Sequence, residues 1–114
     1  QMQAGALDDA LATFNEIVRR RPTFAEGWNK RATILFLMGR DEDSLRDCDE
    51  VFKRNRVHFG ALSGAGQIHM RLGNWQQALE FFQRALQVNP NLVGLEQVIT
   101  MLERRLRDKA RQSV

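Results

Sequence analysis

The chain has 114 residues, 43% hydrophobic and 27% charged, with 17 lysines and arginines against 14 aspartates and glutamates for a net charge of +3. This balance belongs to one globular unit and excludes disordered, collagen-like and low-complexity classes. Its longest charge-free apolar stretch, Ala32 to Gly39, falls far short of the ~20 residues that cross a bilayer, and the lone Cys48 removes any intrachain disulfide or cysteine-cluster zinc site.

In chain order, Leu7, Leu11, Phe14 and Val18 recur at three- and four-residue steps and predict a helix within residues 1–22. A second helix follows from Trp28, Arg31/Ala32, Leu35 and Met38. It ends at Gly39, a residue suited to the left-handed cap, and Thr23 with Glu26 reads as a capping box at its start. A third runs from about Asp41 to Arg54, with Leu45, Cys48, Val51 and Phe52 on its apolar stripe. The fourth carries Leu62, Ala65, Gly66, His69 and Leu72 up to Gly73. The fifth carries Leu79, Phe82, Ala85 and Leu86 up to Asn89 and Pro90, with Asn74 and Gln77 as its capping pattern. The last has a stripe of Leu95, Val98, Ile99, Leu102 and Leu106, and Glu96, Thr100, Glu103, Arg107, Asp108 and Arg111 cover its other side. No segment alternates as a strand does, so the chain reads as all-α.

These helices repeat. Gly5, Gly39 and Gly73 stand at a constant interval of 34 residues, as do Ala10, Ser44 and Ala78, then Phe14, Cys48 and Phe82, then Ile17, Val51 and Ala85; Pro22, Arg56 and Pro90 keep the same step. Several columns in one register without a gap are the mark of stacked helix pairs. Ala32, Gly66, Ala78 and Ala85 are placed where facing helices approach most closely, and Trp75, Phe82 and Phe14 supply the bulk between them.

Trp28, Ala32, Leu35, Gly39 and Val51 in one unit, and Leu62, Gly66, Gly73, Trp75, Ala78, Phe82, Ala85 and Pro90 in the next, resemble the small and large positions of the tetratricopeptide repeat family. The resemblance covers essentially the whole chain. It implies a single all-α domain, an α-solenoid of antiparallel helix hairpins in a right-handed superhelix: 1–22 the second helix of a partial repeat, 23–56 and 57–90 full repeats, 91–114 a capping helix. On this reading the chain starts mid-motif and is a C-terminal piece of a longer array, and Leu7, Leu11, Phe14 and Val18 would be left partly uncovered. Departures cluster in the middle repeat: Asp41 for an aromatic, Ser44 for alanine, Cys48 for a large aromatic, Arg56 for proline.

Catalytic constellations are missing from the sequence. There is no glycine-rich phosphate loop, no serine or cysteine with a base partner, and no two-histidine helix motif, so the chain reads as no enzyme and calls for no cofactor or metal. His69 is expected to pack in its helix pair with one nitrogen hydrogen-bonded, and Cys48 to be a small buried hydrophobe. The run Asp41 to Glu50 carries six carboxylates without the central glycine of a calcium loop, and reads as a solvated helix face. The basic clusters Arg19–Arg21, Lys53–Arg56 and Arg104–Arg111 lie near helix C-termini, where the dipole favours them. With no exposed aromatics among these arginines, nucleic acid is disfavoured as a partner. No leader of basic then apolar residues is visible, which favours the cytoplasm.

In the family, first helices line the concave face. The resemblance therefore implies a non-catalytic interaction module or scaffold binding a peptide segment of a protein partner through Asn29, Lys30, Thr33, Phe36 and Leu37 of one repeat. Ser63, Gln67, Met70 and Arg71 of the next repeat continue the groove, and Met101, Arg104 and Arg105 of the closing helix extend it. Phe36 and Met70 have the alternative of packing between repeats. The clamp that some members close on a chaperone's C-terminal carboxylate finds little here. Of the corresponding Asn29, Lys30, Thr33, Gly60 and Gly64, only Lys30 supplies charge. The rival to groove binding is a structural role, with homo-oligomerisation through the N-terminal edge.

Overall fold

A computed structural model describes residues 4–112. Six helices follow one another: α1 Ala4–Arg20, α2 Ala25–Leu37, α3 Asp41–Arg54, α4 Phe59–Arg71, α5 Trp75–Val88 and α6 Leu95–Gln112. No strand occurs among the described residues. Each helix packs on the next in the chain, and α2 also touches α4, the pattern of stacked hairpins in a solenoid. The shape agrees: extents of 51 × 28 × 25 Å and a radius of gyration of 15.5 Å exceed the ~13 Å of a compact chain this long.

The predicted hairpin turns form for the predicted reason. Gly39 and Gly73 both adopt φ +79°, a conformation L side chains resist. The Arg40 N–H then reaches the Leu35 carbonyl at 2.8 Å, and the Asn74 N–H reaches that of His69 at 2.8 Å, the six-to-one bond of a Schellman turn. The predicted N-terminal caps do not form. Phe24, not Thr23, occupies the N-cap of α2, and its hydrocarbon side chain cannot accept a hydrogen bond; Glu26 turns instead to His58 in the next repeat. Asn74 occupies the N-cap of α5, yet its amide lies 3.2 Å from His69 Nδ1 instead of capping the helix. The side-chain cap that is present went unpredicted: His58 Nδ1 accepts the Ala61 N–H at 3.1 Å.

Two apolar clusters make the core. Leu62, Ala78, Leu79, Phe82 and Ala85 bury the stripe of α6 (Leu95, Ile99, Leu102), so the closing helix shields the end of the stack. Ala32, Cys48, Ala65 and Ile68 join the two full repeats. Close approach is tightest at Gly66, where an added Cβ would sit 2.8 Å from the Phe82 ring.

The middle repeat accommodates its departures. The Ser44 hydroxyl is fully buried and donates to the Ala32 carbonyl at 2.6 Å, so it fits where the family places alanine. Cys48 leaves room that Phe52 and Phe81 fill, their rings stacked 5.7 Å apart across α3 and α5.

Two expectations need correction. Leu7 and Val18 are buried, because α1 lays its stripe on α2, whereas Leu11 and Phe14 stay half-buried, partly uncovered as expected. The acidic run is not a uniformly solvated face either. Asp47 is only 4% exposed and accepts a bidentate pair from Arg31 at 2.7 and 2.8 Å. Asp41 pairs with Arg71 of α4, because both carboxylates meet cations presented by first helices.

Candidate concave groove

The cleft between α2 and α4 is bounded at both ends by polar ties. At the start of the helices, His58 lies with Nε2 2.9 Å from Glu26 Oε1. Since its Nδ1 accepts the Ala61 amide, Nε2 must carry the proton and donate to Glu26. Partial burial raises the Glu26 carboxyl, but hydrogen bonds from His58 and Asn29 outweigh it and hold the group below its ordinary value. At the other end, the Arg71 guanidinium stacks 3.8 Å over the Phe36 ring and donates to the Phe36 carbonyl at 2.6 Å.

Between these ties lies a cavity of about 250 Å³. Its floor is Ala32, Cys48 and Ile68, its walls include Phe36 and Phe59, and its rim carries Asn29, Thr33, Ser63 and Gln67. Gly60 and Gly64 of α4 both line it; a Cβ at Gly64 would meet nothing within 4 Å, whereas one at Gly60 would meet Asn29 and His58 at 3.1 Å. Burial pushes the Cys48 thiol up to about 12, with Asp47 and Asp49 adding to the effect, so the floor is chemically inert at neutral pH.

The structure thus brings Asn29, Thr33, Phe36, Ser63 and Gln67 to one cleft. Lys30 and Leu37 are exposed on α2 outside its lining, Lys30 3.7 Å from Glu26. Met70 packs against the core that its own repeat makes with α6, and Arg71 is engaged by Asp41 and Phe36 of the preceding repeat. Met101 and Arg104 line a separate cleft on α6 with Gln97 and Thr100, and Arg105 lies 4.7 Å over the Trp75 ring. Sequence reasoning missed the floor and the role of the glycines. The signal was present: Gly60 and Gly64 are one helical turn apart on the face expected to line the groove.

A cleft of about 370 Å³ among α1, α2 and α3 is lined by Arg31, Arg40, Asp43 and Asp47, which satisfy one another. His69 does pack as expected, stacked 5.6 Å from Phe81 with Nδ1 on Asn74. Among the described residues no three His, Cys, Asp or Glu side chains converge as a metal site would require, and no helix is long and apolar enough to cross a membrane.

The family model of the tetratricopeptide repeat matches residues 59–92. A TPR repeat-containing protein of Rhizobium etli is 36% identical over 97 residues, covering 85% of this chain and 48% of its own length. Human DnaJ homolog subfamily C member 3 is 28% identical over 90 residues, 79% of this chain and 18% of that protein. The chain therefore spans half or less of these curated relatives. Among solved structures, the first TPR of Spaghetti (RPAP3) bound to an HSP90 peptide superposes with a TM-score of 0.85 at 20% identity, covering 90% of this chain and 82% of that one. MamA superposes with a TM-score of 0.82 at 20% identity, covering 95% and 64%. At such identity the likeness is one of fold.

Proposed function

Because this chain belongs to the tetratricopeptide repeat family, we propose that it is a non-catalytic interaction module that binds a peptide segment of another protein in the groove between α2 and α4. The observation that carries this reading is the cleft itself, an apolar floor ringed by amides and hydroxyls and held open by ties at both ends. Asn29 and Gln67 offer donors and acceptors that pair with a peptide backbone, and the floor supplies the apolar contact. The peptide carried by the RPAP3 neighbour supports the general mode of binding.

The joint between repeats claims Arg71 and Phe36, so they are poor probes of binding. The rim is better. Dodecapeptides selected from a phage-displayed random library on the wild-type protein should bind the Asn29→Ala/Gln67→Ala double variant roughly tenfold more weakly or worse, with helical circular dichroism and melting unchanged. Equal retention by the double variant, or no peptide recovered at all, would overturn the reading.

A further inference from the structure

The lining of the α2/α4 cavity contains no charged side chain. Its rim consists of Asn29, Thr33, Ser63 and Gln67, and its floor is Ala32, Cys48 and Ile68. The nearest ionic groups are already committed: Glu26 to His58 and Lys30, and Arg71 to Asp41. A charged group entering this space would lose water and find no counter-charge. The volume, about 250 Å³, lies below the ~300–1,000 Å³ typical of small-molecule sites, which makes it a seat for one side chain. Its width is preset by the two ties, so little ordering is needed on binding.

We propose, resting on the groove reading above, that this cavity seats one uncharged aliphatic or methionine side chain from an internal segment of the partner, and not a terminal carboxylate. The rim amides and hydroxyls hold the backbone on either side of that residue. Gly64 sets the depth of the seat: any side chain there points into the open space the partner's residue would use.

The test uses fluorescein-labelled nonapeptide pools with acetylated and amidated ends, neutral degenerate flanks, and a central residue fixed as Leu, Ile, Met, Asp or Lys. Anisotropy titrations should show the Leu, Ile or Met pool bound about tenfold or more tighter than the Asp and Lys pools. That preference should vanish in Gly64→Phe, which fills the seat from α4, and in Thr33→Phe, which fills it from α2 should the first variant fold poorly. Equal binding by all pools, preference for a charged residue, tighter binding by pools with a free C-terminal carboxylate, or preference surviving both variants would overturn the inference. If the pools bind alike yet Asn29→Ala/Gln67→Ala still weakens them, this inference falls and the groove reading stands. If no pool binds, both fall.

Discussion

Arg71, the last residue of α4, reaches back to Asp41, the first residue of α3, with its Nε 3.1 Å from both carboxylate oxygens. One repeat later Arg105 takes the same path to Trp75, the first residue of α5, and stacks 4.7 Å over its ring. The register is shared and the chemistry differs: where the family places an aromatic, this chain uses a carboxylate that also suits a helix N-terminus. The tie from each of these helices back to the start of the preceding second helix is therefore an ion pair in one repeat and a cation–π contact in the next.

Asp41→Ala should cost about 0.5–1 kcal/mol in urea unfolding at low salt, and the difference from wild type should shrink in half-molar sodium chloride as the exposed Arg71 is screened. Asp41→Trp should recover most of that stability without the salt dependence. A loss from Asp41→Ala equally large at both salt concentrations would argue against this account of the joint.

Gly66 and Gly64 lie two residues apart on α4 and should respond oppositely to alanine. At Gly66 the new Cβ would meet three Phe82 ring atoms at 2.8–2.9 Å, so overpacking of about 1–3 kcal/mol outweighs the gain in helix propensity. At Gly64 the space is open, and alanine should stabilise by up to about 1 kcal/mol. Chemical denaturation of both variants checks the contrast, and Gly66→Ala combined with Phe82→Leu should regain part of the loss.

Arg31 and Asp47 join α2 to α3 through two hydrogen bonds, and Arg31 also reaches Asn15 Oδ1 on α1 at 3.1 Å. Its guanidinium lies 5.1 Å from the Trp28 ring. Replacing Asp47 with alanine leaves the cation without its charge-assisted bonds and should cost about 2–3 kcal/mol. Arg31→Met/Asp47→Leu should cost clearly less than Asp47→Ala, because neither charge is then left alone. A double-mutant cycle with near-zero coupling would contradict the pairing.

His69 carries a pKa held below its ordinary value by burial, with Asp49 opposing more weakly. The unfolded chain then binds this proton more readily than the folded one, so the contribution of His69 to stability is present above the unfolded pKa and lost as pH falls through the folded value. The melting temperature should drop between about pH 7 and pH 5, and His69→Phe, which keeps a ring beside Phe81, should flatten that slope. A slope unchanged in the variant would assign it to other groups.

The sequence by itself determined the six helices, their register, the turns at Gly39 and Gly73 and the apolar stripe of α6. All of these depend on contacts within a few residues or on a period that repeats along the chain. It also placed Asn29, Thr33, Phe36, Ser63 and Gln67 on one face. Tertiary structure alone decided which polar groups found each other. Glu26 and His58 stand 32 residues apart, Asp41 and Arg71 30, and Arg31 and Asp47 16. These pairings depend on the pitch at which one hairpin stacks on the next, which no local pattern records. The same pitch leaves Gly64 facing open space beside a cavity floored by Cys48 and Ile68, while Gly60, one turn earlier, lets Asn29 and His58 approach to where a Cβ would meet both at 3.1 Å.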